Sequence, residues 1–325
     1  MSQTELDVRG NVLHKSIRVQ RLMNVTLHAD IYEPADREPK AQLFYVHGMS
    51  EYRKHYEEMA EFFVSHGLRV FLFDLRGHGD SLVQGKRGFF AYNDGTDLIL
   101  DDMQSMFTAM REGYEDLPIF LLGHSLGAML SKAYLKRNPS DLSGLILSGS
   151  PAPERAINAK RFFLGLLSFF VPDKPALVMS RNNAKRYLKK DMHVENPQER
   201  LSWLYCDQSQ IESLLNDERT NFCFTYRALH DVCTLIKEIY ARDEWMITQK
   251  NLPILFVTGQ DDICARVESG GIEQQMKQLR SKGYESIEAR FYAHSRHQVL
   301  RDFDKKQVWQ DIDDFINRAL EAKVQ

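Results

Sequence analysis

Pro118-Ile119-Phe120-Leu121-Leu122-Gly123-His124-Ser125-Leu126-Gly127 starts at a proline, runs through four apolar residues and breaks at a glycine. Such a short, wholly apolar run between breakers reads as a buried strand. From residue 126 to 137 the pattern becomes helical, and Asn138-Pro139 closes it. Gly123-His124-Ser125-Leu126-Gly127 therefore falls on a strand-to-helix turn. G-x-S-x-G is a short pattern, but in this context a strained turn lifts the serine oxygen clear of the backbone. A side chain at either glycine would crowd that turn. Ser125 is the candidate nucleophile.

The same alternation continues in both directions. Upstream, residues 16–20 and 25–32 read as a hairpin about Met23-Asn24, and 43–46 and 70–73 as buried strands. Between the last two, 52–65 has helical spacing, with Gly67 placed to end it. Residues 96–111 carry a second helical stripe, and 142–147 another strand. After an interruption come strand 254–257, helix 268–280, strand 287–292 and helix 308–322. Apolar strands bounded by helices imply an α/β fold with a mostly parallel central sheet covered on both faces. The interruption reads as helical, which divides the chain into a first core part at 1–150, a helical insertion at 151–248 and a second core part at 249–325.

A serine hydroxyl is a weak nucleophile; it needs a base, and the base needs an orienting carboxylate. In sheets of this kind these follow in the order Ser, Asp/Glu, His, each after a later strand. Strand 254–257 runs into Thr258-Gly259-Gln260-Asp261-Asp262, and strand 287–292 into Ala293-His294-Ser295-Arg296-His297. Asp262, further round its turn, is preferred to Asp261. His297, which leads the apolar Val299-Leu300, is preferred to His294. The other histidines (His14, His28, His55, His66, His193 and His230) read as surface or packing residues. His47-Gly48-Met49 ends strand 43–46, and the amides of Met49 and Leu126 are the expected oxyanion hole. The turn Arg76-Gly77-His78-Gly79 is expected to brace the loop near the site without touching substrate.

Composition removes other classes. The 325 residues are 43% hydrophobic and 27% charged, as in an ordinary globular protein. Lys plus Arg (42) against Asp plus Glu (45) gives −3, which argues against a nucleic-acid partner. No apolar run reaches the roughly 18 residues of a membrane span. The first ten residues lack the layout of a secretory signal, so Cys206, Cys223, Cys233 and Cys264 read as reduced cytoplasmic thiols. They lack C-x-x-C spacing, and neither a metal nor a cofactor is expected.

Together these residues resemble the α/β-hydrolase superfamily, and within it the monoacylglycerol lipase and lysophospholipase branch. Phe44-Tyr45-Val46-His47-Gly48 with Glu51 and Tyr56 is similar to that branch's H-G-x-x-E segment. Phe73-Asp74 with Arg76-Gly77-His78-Gly79-Asp80-Ser81 is similar to its D-x-R-G-H-G-x-S turn, and Leu122 to Gly127 to its L-G-H-S-M-G elbow. Leu126 stands where the branch usually has Met, Ala128 where it often has Gly, and Arg266 where the acid-bearing loop more often has Asp or Pro. The resemblance covers about residues 40–150 and 250–302, and implies that the insertion is a cap roofing the site.

Serine in the elbow implies an acyl-enzyme, and hence hydrolysis of an ester, thioester or amide. Phe162-Phe163-Leu164-Gly165-Leu166-Leu167-Ser168-Phe169-Phe170-Val171 reads as a packed core helix, as an acyl-chain lining built on Phe162, Phe163, Phe169 and Phe170, or as a surface that dips into a membrane. Around it Arg155, Lys160, Arg161, Lys174, Arg181, Lys185, Arg186, Lys189 and Lys190 outnumber Glu154, Asp173 and Asp191. Basic charge beside an apolar patch favours phosphate-bearing lipid, though solvated helix faces would look the same. The expected protein is a cytoplasmic serine hydrolase, peripheral at a membrane through its cap, that cleaves the acyl ester of a lysophospholipid or monoacylglycerol. A small non-lipid ester, thioester or peptide is the alternative substrate, and a non-catalytic binding protein the alternative class. The sequence is silent on oligomeric state.

Overall fold

Strand alternation splits the interior in two. In β4 (Ala41–Val46), Leu43 and Tyr45 face one side of the sheet and Phe44 and Val46 the other, and none is more than 1% exposed. β5 (Leu68–Phe73), β6 (Ile119–His124), β7 (Gly144–Ser148) and β8 (Ile254–Gly259) are likewise buried along their whole length. That is why they read as continuous apolar runs. The computed structural model describes residues 5–154, 156–177, 201–220 and 222–324. Arg155, Arg181, Lys185, Arg186, Lys189, Lys190, Asp191 and His193, part of the basic-segment and histidine readings, lie outside the described residues.

Four further strands complete a nine-stranded sheet among the described residues: β1 (Glu5–Arg9), β2 (Val12–Arg21), β3 (Val25–Pro34) and β9 (Ile287–Tyr292). The order is β1-β2-β3-β5-β4-β6-β7-β8-β9. β1 to β3 and the β3–β5 pair are antiparallel, and the remaining neighbours are parallel. β2 and β3 pair from Arg21–Val25 outward, with Met23 and Asn24 at φ 64° and 54° in the connection, where the hairpin turn was expected. The edge strand β1 was not anticipated. A two-residue Gly10-Asn11 turn, with Gly10 at φ 60°, folds it back onto β2.

Helices α1 (Glu57–Ser65) and α8 (Lys305–Val324) cover one face of the sheet. Helices α2 (Gly95–Arg111), α3 (Leu126–Arg137) and α7 (Gly271–Lys282) cover the other. The helix expected over 52–65 instead begins as a 3-10 turn, Arg53–Tyr56, because Arg53 is drawn into a buried ion network. Its Nε donates to Asp30 at 2.7 Å, and Nη1 reaches both Asp74 and Asp80.

Between β7 and β8 the insertion contributes α4 (Ile157–Phe170), α5 (Gln208–Asn216) and α6 (Tyr226–Ile239). In α6, Thr225 caps the start by accepting from the Ala228 amide at 3.2 Å. Ala228, Leu229, Val232, Cys233, Leu235 and Ile239 make one buried face. That face lies against α2 and α3, and α4 packs in turn along α6. The chain leaves β4 towards β5 on one side and returns to β6 on the other. In open α/β sheets such a reversal leaves a crevice at the carboxyl ends of the strands, which is where binding residues gather.

Candidate active site

One residue separates β6 from α3. Ser125 takes φ 52° and ψ −111°, a strained setting for any residue other than glycine. The two glycines make room for it. A Cβ on Gly127 would lie 2.0 Å from the Val46 carbonyl oxygen, and one on Gly123 2.3 Å from Ser131 Oγ. The Ser125 amide donates to the Ser148 carbonyl at 2.9 Å, which leaves the hydroxyl on the cavity side.

Ser125 Oγ lies 2.8 Å from His297 Nε2. The other ring nitrogen, Nδ1, faces both carboxylate oxygens of Asp262, at 3.1 and 3.0 Å. Donation from Nδ1 to the carboxylate leaves Nε2 free to accept the serine proton. Burial pushes the Asp262 carboxyl up. The charge and hydrogen bond of His297 and the Ala265 amide outweigh that, so its pKa ends below the ordinary value. Asp261 stays exposed, and so does His294, whose amide donates to Asp304 at 2.8 Å. Of each rival pair, His297 reaches Ser125 directly and Asp262 is joined to it through His297.

Met49 and Leu126 both line the cavity beside Ser125. Leu126 opens α3, so its amide has no acceptor one turn back. The Met49 loop is held from behind. The Glu51 carboxylate accepts from the Gly48 amide at 2.8 Å, the Tyr56 hydroxyl at 2.7 Å and Gln298 Nε2. His47 Nδ1 donates to the Gly48 carbonyl at 2.8 Å, and Nε2 accepts from the Leu75 amide at 2.9 Å. Residues 76–79 do not line the cavity. Arg76 is buried on Asp102 at 2.8 and 3.1 Å, and the turn reaches the loop through Leu75 and His47.

His47 uses both nitrogens in its neutral form, and burial pushes its pKa from 6.5 down to about 4. The folded state therefore binds fewer protons than the unfolded state between these values. Its contribution is complete above pH 6.5 and is lost as the pH falls towards 4, up to about 3 kcal/mol. Urea unfolding at stepped pH should show stability falling across that window. His47→Asn should be less stable at pH 8 but shallower in slope; an unchanged slope would refute the assignment.

Above the serine lies a cavity of about 790 Å³, within the usual size of small-molecule sites. Its apolar lining includes Leu201, Leu204, Leu214, Phe222, Phe224 and Leu229, and Trp203 stands with its ring 5.2 Å from that of His297. The four phenylalanines read as an acyl lining are not among the lining residues. Phe162, Phe163, Phe169 and Phe170 are 70, 62, 80 and 72% exposed, because Leu164 and Ser168 make the buried side of α4. Trp203, Leu204, Phe222 and Phe224 had no comparable sequence signal, since they lie in turns and irregular segments, and Leu214 and Leu229 are single positions on α5 and α6. Among the described residues, one group has metal-like spacing: Asp262, Cys264 and His297, with ligand atoms within 4.8 Å of one another. Asp262 and His297 are already engaged with each other and with Ser125.

Comparison with known proteins agrees with this architecture. A monoglyceride lipase of Mus musculus is 34% identical over 156 residues, covering 45% of this chain and 50% of that protein. Phospholipase YtpA of Bacillus subtilis is 37% identical over 118 residues, covering 35% of this chain and 41% of its own. The chain thus spans about half the length of the curated relatives it matches, or less. A carboxyl esterase of Bacillus coagulans, solved in complex with glycerol, superposes with a TM-score of 0.82 at 22% identity, covering 94% of this chain and 99% of that one. At that identity the likeness is one of fold. The family model described as serine aminopeptidase, S33 (Hydrolase_4), matches residues 37–304. The chain belongs to this family and has the α/β-hydrolase fold.

Proposed function

We propose that the protein is a cofactor-free serine hydrolase that releases the acyl chain of a single-chain lipid ester, a lysophospholipid or monoacylglycerol. The observation that carries the reading is the 2.8 Å contact of Ser125 Oγ with His297 Nε2 at the floor of a largely apolar cavity. Ser125 Oγ bonds to the ester carbonyl carbon as its proton passes to His297 Nε2. Asp262 stabilises the imidazolium. The oxyanion accepts hydrogen bonds from the Met49 and Leu126 amides, each worth about 2.7–4 kcal/mol in comparable sites. Collapse breaks the bond to the leaving alcohol, which takes the proton from Nε2. Water then attacks the acyl carbonyl, gives its proton to Nε2, and frees the fatty acid as Oγ regains its proton.

Residues 151–248 act in this reading as a cap that supplies the acyl-chain wall. A mass-spectrometric screen of a lipid panel, with Ser125→Ala as blank, tests it. Release of long-chain acid only by the wild type is expected. An acyl-length profile peaking at the shortest chains would transfer the site to a small ester, and no labelling of Ser125 by a fluorophosphonate would leave a binding protein.

Among the described residues no helix is long and apolar enough to cross a membrane. Yet α4 presents four exposed phenylalanines, with Leu166 and Leu167 54 and 42% exposed beside them. Contiguous apolar surface of this kind marks a contact site, and we assign it to the surface of the membrane that holds the substrate. Burying one phenylalanine is worth about 1.5–3 kcal/mol. The double variant Phe169→Ser/Phe170→Ser should therefore lower partitioning onto phospholipid vesicles by about tenfold or more. Unchanged co-sedimentation would remove α4 from the contact.

A further inference from the structure

Among the described residues, three charged side chains in the cavity wall are not used by the chemistry above: Glu154, Lys160 and Arg266. Glu51, also in the wall, is occupied by the Gly48 amide, Tyr56 and Gln298. Glu154 and Arg266 come from two segments beside the reacting groups, and Lys160 from the first turn of α4. Residues 151–154 follow β7, and residues 263–266 follow Asp262. The Ala152 amide joins them by donating to the Cys264 carbonyl at 2.9 Å. Across that join, Arg266 Nη1 donates to the Pro153 carbonyl at 3.1 Å. Lys160 Nζ sits 3.4 Å from the carboxylate of the next residue, Glu154. Two cations are thus anchored to consecutive residues of one wall.

Among the described residues the charges of this wall do not balance. Glu154 answers Lys160, and both are largely covered, at 15 and 24% side-chain exposure. Arg266 is half-buried, and among the described residues no carboxylate lies within 4 Å of its guanidinium. Its one side-chain hydrogen bond among those residues uses a single N–H group. A guanidinium left without a counter-ion beside an apolar cavity bears a desolvation cost that an anion would offset. Its planar fork suits phosphate oxygens, with Lys160 as a second point charge. Arg266 is also the departure that the sequence singled out in the acid-bearing loop.

We infer that Arg266 and Lys160 form a phosphate subsite beside Ser125, so that the preferred substrate is a single-chain phospholipid with an anionic head group. The inference rests on the ester-hydrolase reading and narrows its substrate. A glycerol head group offers nothing to discharge Arg266, and a choline head group would bring a further cation to the site.

The test uses 1-oleoyl lysophosphatidylglycerol, 1-oleoyl lysophosphatidylcholine and 1-oleoylglycerol in the same neutral detergent micelles. Wild-type kcat/KM should be highest for lysophosphatidylglycerol, about tenfold or more above 1-oleoylglycerol. In Arg266→Gln the ratio of these two should fall about tenfold, mainly through KM, and Arg266→Lys should recover part of it. Lys160→Gln should move the ratio the same way, which covers the case of a misfolded Arg266 variant. Lys277→Gln, an exposed cation outside the cavity, should leave the ratio unchanged. The subsite is overturned if the wild type cleaves 1-oleoylglycerol as well as the anionic lipid. It is also overturned if Arg266→Gln slows all three lipids equally, since Arg266 is then only a strut for Pro153. Cleavage of none of the three, by an enzyme that fluorophosphonate still labels, overturns the lipid-ester reading itself.

Discussion

Ser125→Ala should lower kcat on any acyl ester that the wild type cleaves by about a millionfold, the size of loss seen when a triad serine is removed elsewhere. In the proposed mechanism the loss is this large because His297 and Asp262 act only through the serine oxygen: the imidazole, 2.8 Å away, takes the proton of Oγ, and the carboxylate serves the imidazole. His297→Ala should cost about as much, and the double variant little more than either alone. Asp262→Asn should cost about ten-thousandfold, since it keeps the shape but favours the wrong tautomer. Single-turnover assays with a chromogenic ester, together with fluorophosphonate labelling, measure each loss. A Ser125→Ala protein within tenfold of wild type would end the acyl-enzyme mechanism.

The largest structural effect is expected from Gly127→Ala. The added methyl would stand 2.0 Å from the carbonyl oxygen of Val46, 2.7 Å from its carbon and 2.8 Å from the carbonyl oxygen of His47. All three are backbone atoms of β4 and the loop after it, held between β5 and β6, so no side chain can turn aside. α3 would have to lift away from the sheet, taking the Leu126 amide with it. A loss of about 3 kcal/mol or more is expected, the upper end for overpacking a buried site. Gly85→Ala is the contrast: nothing lies within 4 Å of the new Cβ, and only its φ of 72° opposes the change. That costs about 1 kcal/mol. Urea unfolding of the two variants measures the difference. Equal stabilities would mean that the close approach of α3 to β4 does not hold the turn.

Much of this was legible because burial on both faces writes itself into a strand as uninterrupted apolar residues. The reading of 287–292 as a strand and 126–137 as a helix coincides with β9 and α3. Ser125 and Asp262 could be proposed because each follows such a strand, and His297 because it follows β9, an edge strand that alternates apolar and polar residues. Strand ends in a parallel sheet point to one edge. What failed to show had no period to show. β1 is an edge strand with a two-residue turn, the 3-10 turn at Arg53–Tyr56 follows from a distant ion network, and the lining residues Trp203, Leu204, Phe222 and Phe224 lie in turns and irregular segments.

The order of apolar runs and breakers determined the sheet, the turn at Ser125 and the chemical types of its partners, because these depend on residues adjacent along the chain. Only the tertiary structure shows Asp262 and not Asp261 against the imidazole, and His297 and not His294 against Ser125, because side-chain direction at a strand end depends on what packs behind it. It also turned Phe162, Phe163, Phe169 and Phe170 outward, since a helix with apolar residues all round buries whichever face its neighbour covers. Here α6 covers the side of Leu164 and Ser168.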